Sequence, residues 1–120
     1  MVGAAFGFPR QRRLRSKRDF DRVFEHSVRS QDAFFSVLAR RNELGLARLG
    51  LAVSVKVAGT GAARNRLKRI IRESFRLASG LAPLDLVVTA RAGAATQSSA
   101  LLRESLGAHW RALVERCARS

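Results

Sequence analysis

The chain has 120 residues, 47% of them hydrophobic, which fits one domain with a single core and leaves little room for a second. Its 23 Lys and Arg against 9 Asp and Glu give a net charge of +14, whose self-repulsion a polyanion would relieve, nucleic acid first and an anionic membrane surface second. No run approaches the roughly 20 apolar residues that span a bilayer, and the single cysteine, Cys117, excludes an internal disulfide and a cysteine-based zinc site.

The N-terminal segment is Gly-rich and then basic, with Arg10, Arg12 and Arg13 following the apolar residues. A secretory signal has the opposite order. We therefore expect a flexible basic arm over residues 1–13 and a single domain over residues 14–120. A lone thiol suits a reducing compartment, so the expected location is the cytoplasm.

Hydrophobic periodicity predicts six elements after this arm. A helix begins after Ser16, because Ser16 and Asp19 have the spacing of a capping box. In chain order, the predictions are a helix to residue 26, strands over 33–39 and 48–57, a helix over 62–78, a strand over 84–90 and a helix over 98–117. The order helix-strand-strand-helix-strand-helix indicates an α+β fold, with one sheet covered by helices.

The strand predicted over 48–57 has two unlike faces, because side chains alternate along a strand. One face is bulky and belongs in a core; it carries Leu49, Leu51, Val53, Val55 and Val57. The other is small and ends in a cation; it carries Gly50, Ala52, Ser54 and Lys56. This second face is suited to form the floor of an open groove.

The helix predicted over 62–78 has an apolar arc opposite a cationic one. The apolar arc contains Leu67, Ile70, Ile71, Ser74 and Ala78, and Phe75 also holds the helix to the sheet. The cationic side contains Lys68, Arg69, Arg72 and Arg76, with Arg64 and Arg66 at its edges. A charge run is usually a solvated face, but solvated faces generally alternate in sign, and here Glu73 is the one acidic residue. Cations that repel one another favour a bound polyphosphate.

RNA fits this cationic side better than a membrane does. An Arg guanidinium matches phosphate oxygens, and Asn65 can contact a 2′-hydroxyl or a base edge. The opposite side of the helix is needed for the core, so it cannot also enter a bilayer. The sequence therefore predicts an RNA partner and no membrane association.

These residues resemble the bacterial ribonuclease P protein family. Arg64-Asn65-Arg66, Lys68-Arg69 and residues 72–76 look like the family's signature helix, and the combination in this order is specific. The resemblance covers most of the chain, including Arg13-Leu14, Asp19-Phe20, Val23-Phe24, residues 49–54 and residues 86–91.

The resemblance implies helices on a mixed sheet, similar to one domain of a ribosomal small-subunit protein, with an unusual left-handed crossover around the signature helix. It implies a 1:1 complex with a large catalytic RNA, which cuts precursor tRNA to release the mature 5′ end. Magnesium is expected to be held mainly by that RNA, with none bound by this chain alone and no catalytic side chain in it. The RNA-binding residues implied are Lys56, Arg64, Asn65, Arg66, Lys68, Arg69, Arg72 and Arg76.

The resemblance also implies a groove that receives the single-stranded 5′ leader of the precursor. Its expected lining is Arg13, Phe20, Phe24, Val37 and Ser54. Phe20 and Phe24 share a helix face, and every base has a π-face on which an aromatic ring can stack. Ordinary core packing is an equal alternative for Phe20, and Phe24, beside Val23, is expected to be partly buried.

The sequence departs from the family's pattern at two of these places. Val55 stands beside Lys56 where relatives usually have two adjacent lysines, and Val37 stands where the family often has an aromatic residue. These departures weaken the transfer of individual roles at the two positions.

Three other functions stay open on the residues alone. The main rival is a structural RNA-binding protein, such as a ribosomal-type protein or an RNA chaperone without a processing role. A DNA-bending protein is second. A self-sufficient nuclease is third, because Asp21 and Glu25 are the only acidic pair at i,i+4 and cations surround them, so a solvated or salt-bridged role is favoured.

Overall fold

The structure is a computed structural model and describes residues 10–119 of the chain. It contains the helices α1 (Lys17–Glu25), α2 (Val55–Ala58), α3 (Gly61–Leu77) and α4 (Ser99–Arg119), and the strands β1 (Val28–Gln31), β2 (Phe35–Arg41), β3 (Arg48–Ala52) and β4 (Leu84–Ala90). The Ser16 side chain accepts a hydrogen bond from the backbone N–H of Asp19, which confirms the predicted N-cap of α1.

The four strands form one mixed sheet in the order β1-β2-β4-β3. β2 pairs antiparallel with both β1 and β4, whereas β3 pairs parallel with β4. Helix α3 lies in the connection between the parallel strands, so this is the crossover for which the resemblance implies a left hand. The predicted α+β fold with a mixed sheet is confirmed, and the hand of the crossover stays a prediction.

The predicted strand over 48–57 was wrong in its second half. β3 ends at Ala52, and the next residues form the short helix α2, where the Ser54 side chain accepts a hydrogen bond from the backbone N–H of Val57. Val55 is 50% exposed and does not continue the bulky face. Apolar residues alternate through this segment, and alternation does not reveal where a serine cap begins a helix.

The predicted element order also lacked the edge strand β1, whose sequence VRSQ has no apolar alternation. The neighbouring strand β2 begins at Phe35, later than predicted. The Asp32 carboxylate accepts hydrogen bonds from the backbone N–H groups of Phe34 and Phe35, and so forms a turn where a strand was expected to start.

The two faces of the sheet are covered unequally. Helices α3 and α4 cover one face and enclose the main core, which includes Phe35, Leu49, Leu67, Phe75, Leu86, Leu106 and Leu113. On the other face, α1 covers a small cluster made of Leu14, Val23 and Val87, with Phe20 and Leu38 packed against it. The described residues leave part of this second face open beside α1.

Residues 10–13 lie against the sheet, whereas the predicted boundary included them in a flexible arm. Arg10–Arg12 form a 3₁₀ turn, and Arg13 bridges to Leu49. The Arg12 guanidinium donates to the backbone carbonyl of Ala47 and lies 4.6 Å from the centroid of the Phe75 ring. The rest of the predicted arm, residues 1–9, lies outside the described residues.

Candidate nucleic-acid interface

Helix α3 turns its apolar side to the core and its cations outward, as predicted. Leu67, Ile70, Ile71 and Phe75 are buried. Arg69 and Arg72 are exposed, and Lys68 and Arg76 are partly buried between them and the core. We call the side that carries Lys68, Arg69, Arg72 and Arg76 the cationic ridge.

Within residues 10–119, the ridge keeps most of its charge uncompensated. Desolvation lowers the pKa of Lys68, and the charges of Arg64 and Arg72 lower it further. Glu73 is the one acidic residue of α3, and it forms a 3.3 Å ion pair with Arg103 of α4. Like charges that crowd one another in this way favour the approach of an anion, because a phosphate relieves their repulsion.

The two arginines at the edges of the ridge also hold the fold together. Arg64 Nε donates to the carbonyl of Val53 at 2.6 Å, and Arg66 Nη2 donates to the carbonyl of Gln97 at 2.7 Å. Each guanidinium has five N–H donors, so these bonds leave donors for a phosphate while fixing the direction of the side chain. Asn65, between them, is exposed.

The open part of the sheet is a row of small and polar side chains that runs across all four strands. The strand register places Gln31, Ser36, Thr89 and Ala52 side by side on the face that α1 covers only in part. Gln31 is exposed and the other three are partly buried. We call this row the groove floor.

Helix α1 forms the wall of this groove. Its Phe20 and Phe24 rings stack with centroids 6.5 Å apart. Phe20 lies so close to Gly50 that a Cβ there would meet the ring at 2.7 Å, which is why a glycine occupies this position of β3. Phe24 is 56% exposed, so the expectation that it is partly buried was wrong.

Val37 does not line the groove, and its predicted place there was wrong. It is fully buried in the main core with Phe35 and Ala39, on the face that α3 and α4 cover. Because alternate residues of β2 face opposite ways, the groove side of this strand carries Ser36 and Leu38 instead. Two adjacent phenylalanines, Phe34 and Phe35, left this register ambiguous in the sequence.

The remaining predicted residues lie at the margins of the groove and the ridge. Ser54 and Lys56 are exposed, one as the cap of α2 and one within it. Arg13 is exposed and lines a cavity of about 260 Å³ together with Phe20, Lys68 and Arg72. This cavity contains one groove-wall residue and two ridge residues, so the groove wall and the cationic ridge are continuous.

A family model for ribonuclease P matches residues 8–114. The chain belongs to the ribonuclease P protein family. The ribonuclease P protein component of Methylococcus capsulatus is 47% identical over 119 residues, which are 98% of this chain and 93% of that protein. The component of Legionella pneumophila (strain Lens) is 41% identical over 90% of this chain and 94% of the relative.

Solved structures of ribonuclease P proteins have the same fold. The Staphylococcus aureus protein at 2.0 Å superposes with a TM-score of 0.77 at 30% identity, covering 83% of this chain and 93% of that one. The Thermotoga maritima protein gives a TM-score of 0.71 at 36% identity, covering 82% and 96%. As a ribonuclease P protein, the chain is the protein part of the holoenzyme that matures tRNA 5′ ends, and its partner there is RNA.

The acidic residues of this ribonuclease P protein are separate or engaged with cations. Asp21 pairs with Lys17 at 3.1 Å on the exposed side of α1. Within residues 10–119, no three His, Cys, Asp or Glu side chains come together to hold a metal ion. Over the same residues, no helix is long and apolar enough to cross a membrane.

Proposed function

We propose that the cationic ridge of α3 binds the catalytic RNA and that the groove beside α1 holds the 5′ leader of precursor tRNA, in a complex with one copy of each RNA. The observation that carries this proposal is the pairing of two different surfaces on one small chain. One surface is a convex row of arginines, and the other is a concave floor of small residues beside two stacked phenylalanines.

The groove suits an extended single strand of RNA. Its floor consists of Gln31, Ser36, Thr89 and Ala52, whose short or polar side chains leave room for a chain lying across the sheet. The exposed Phe24 ring and the edge of Phe20 offer stacking surfaces that accept any base. An unpaired strand exposes its bases for such stacking whereas a duplex keeps them paired, so the groove favours an unpaired leader over the folded body of mature tRNA.

The ridge suits the phosphates of a folded RNA. Its guanidinium groups bind phosphate oxygens by paired hydrogen bonds, and each neutralised phosphate releases condensed counterions. Arg64, Asn65 and Arg66 begin the ridge where α3 meets α4, and Lys56 on α2 lies before them in the chain. Their donors extend the contact beyond the exposed face of the helix.

Magnesium, in this proposal, is held mainly by the RNA, and this chain contributes no ligand. The groove floor carries no carboxylate, the named residues of the ridge are cations, and Asp21 is paired with Lys17 at 3.1 Å. We place the complex in the cytoplasm, because a chain with a single cysteine suits a reducing compartment and precursor tRNA is processed where it is made.

The groove is tested by Phe24→Ala, because Phe24 is 56% exposed and its loss leaves the core intact. Leu44→Ala is the matched control, since Leu44 is also a large apolar residue and is 55% exposed. Holoenzyme reconstituted with ribonuclease P RNA is titrated with a precursor that has a leader of several nucleotides and with mature tRNA.

The loss of one stacked base should weaken precursor binding about five- to 150-fold, with the affinity for mature tRNA unchanged and Leu44→Ala behaving as wild type. A folded Phe24→Ala protein that still prefers the precursor as strongly as wild type would show that the leader does not lie in this groove.

A further inference from the structure

A row of charged side chains crosses the sheet beneath the side of α1 that faces away from the groove floor. The register places Arg40 of β2, Asp85 of β4 and Arg48 of β3 next to one another. Asp85 is 5% exposed. Arg48 donates two hydrogen bonds to it, from Nε to Oδ1 at 2.8 Å and from Nη2 to Oδ2 at 2.7 Å. Asn42 Nδ2 donates a further hydrogen bond to Asp85 Oδ1 at 2.7 Å. The Arg48 side chain is therefore held in one direction by the sheet itself.

The same guanidinium reaches up to helix α1. Arg48 Nη1 lies 3.5 Å from Asp19 Oδ2, and the Asp19 side chain is 22% exposed. A second contact comes from Arg40 Nη1, which donates to the carbonyl of Arg22 at 3.1 Å near the end of the helix. Both contacts lie on one side of α1, toward its two ends.

The opposite side of α1 carries the groove wall. At about 100° per residue, Asp19 and Arg22 lie to one side of the buried Val23, and Phe20 and Phe24 lie to the other. Val23 packs onto the sheet, and Phe20 packs against the same small cluster, so apolar contacts hold the ring side of α1 against the sheet. The charged contacts at Asp19 and Arg22 hold the other side, and the two sets of contacts together set the rotation of the helix and the place of the two rings beside the groove floor.

We propose that Arg48, held by Asp85 and paired with Asp19, is a positioning residue that fixes the rotation of α1 and with it the place of Phe20 and Phe24 beside the leader. This inference rests on the proposed leader groove. The raised pKa of Arg48, caused first by its hydrogen bonds to Asp85, agrees with a guanidinium held between two carboxylates.

Arg48 itself is a poor position for the test, because its removal leaves the buried carboxylate of Asp85 without its cationic partner. Asp19→Asn is the better variant. It removes the charge that Arg48 pairs with on α1, while the backbone N–H of residue 19 still donates to the Ser16 cap. Asp21→Asn is the matched control, because it makes the same change on the same helix at a residue whose pair with Lys17 is exposed.

Two readouts are measured on folded proteins with matching circular dichroism. In the holoenzyme, the ratio of precursor to mature tRNA affinity should fall about twofold to fivefold in Asp19→Asn and stay at the wild-type value in Asp21→Asn. In the free protein, nuclear Overhauser effects between the Phe20 ring and the Gly50 α-protons should weaken in Asp19→Asn alone. Binding of the catalytic RNA without substrate should be the same in all three proteins.

An Asp19→Asn protein that keeps both the wild-type ratio and the Phe20–Gly50 contacts overturns the positioning role. If Phe24→Ala still loses leader binding in the same assays, the leader groove itself stands and only the inference about Arg48 fails. If neither variant changes the ratio, the groove assignment and the positioning role both fail.

Discussion

The two faces of the sheet differ in how completely they are covered, and this difference separates stability from binding. One face is closed by α3 and α4 over a large continuous core. Within residues 10–119, the other is covered by α1 and by the segment at Leu14, over a cluster of three buried residues with two more packed against it. Packing on the closed face holds α3 firmly while its cations face outward. The half-covered face leaves part of all four strands accessible beside α1, which only a few described residues hold to the sheet.

The two proposed RNA contacts should therefore respond differently to mutation. Contacts on the ridge depend on side chains at the surface of a firmly packed helix, so their loss should reduce binding without changing the fold. Contacts in the groove depend on the placement of α1, so changes beneath the helix should also weaken them, although less than changes in the rings themselves.

The largest effect is expected in the closed core. Phe75→Ala removes a fully buried ring that packs edge-to-face on Trp110 with centroids 6.4 Å apart. We expect a loss of about 3–5 kcal/mol in the free energy of unfolding, measured by urea denaturation. A loss below about 1 kcal/mol would show that the core of the closed face does not carry most of the stability.

A smaller effect is expected at Gly50, under the groove wall. Gly50→Ala puts a methyl group 2.7 Å from the Phe20 ring, and the ring must move away from the sheet. We expect a cost of about 1–3 kcal/mol in unfolding free energy and a weaker preference for precursor over mature tRNA, with unchanged binding of the catalytic RNA. An unchanged preference would mean that Phe20 does not contact the leader. Gly107→Ala, on α4, is the control for adding a methyl group away from the groove.

Acid should weaken the hydrogen bond between Ser105 of α4 and Asp32 in the turn before β2. Desolvation acts to raise the pKa of Asp32, but hydrogen bonds from Ser105, Phe35 and Phe34 and the nearby His109 together lower it. A carboxyl whose folded pKa is lowered stabilises the protein above its unfolded pKa and loses that contribution as the pH falls through the folded value. We therefore expect the melting temperature of wild type to drop below about pH 4, and Asp32→Asn to lack this part of the drop. Asp21→Asn should show the same drop as wild type. An identical fall in melting temperature below about pH 4 in wild type and Asp32→Asn would contradict the assignment.

The smallest effect is expected on the ridge, one arginine at a time. Arg69→Ala and Arg72→Ala should each reduce the slope of log K against log salt for the catalytic RNA by about 0.7–0.9 and leave the melting temperature unchanged. Arg119→Ala is the control, because this exposed arginine pairs with Glu115 at the C-terminal end of α4. Unchanged slopes in both ridge variants would show that α3 does not contact the RNA phosphates.

The sequence predicted the residues of one face more accurately than those of the other. The helix α3 was predicted closely, because its apolar and cationic residues follow one period and each pattern supports the other. The groove was predicted only in part: Gly50 and Ala52 lie on the face where the alternation placed them, but Val37 lies in the core and β1 was missed. A polar edge strand has no apolar period, and a shift of one residue in β2 exchanges its two faces.

Two further features could not be predicted from the sequence. Arg48 and Asp85 are 37 residues apart, and their bidentate contact follows from the parallel pairing of β3 with β4, which no local pattern reveals. The same holds for Arg64 and Arg66, whose bonds to the backbone of other segments are invisible in a helical wheel. Local periodicity predicts which side of an element is apolar, whereas contacts between elements depend on topology.

The central claim, that the ridge and the groove bind two different RNAs, is tested most directly by crosslinking. Phe24→Cys and Arg69→Cys are each labelled with a thiol-linked photoreactive group; the native Cys117 is buried, and burial raises the pKa of its thiol, so it reacts slowly. Each labelled protein is assembled with ribonuclease P RNA and a precursor tRNA and then irradiated, and the crosslinked nucleotides are mapped. We predict crosslinks from position 24 to the 5′ leader and from position 69 to the catalytic RNA. Crosslinks from both positions to the same RNA would contradict the account.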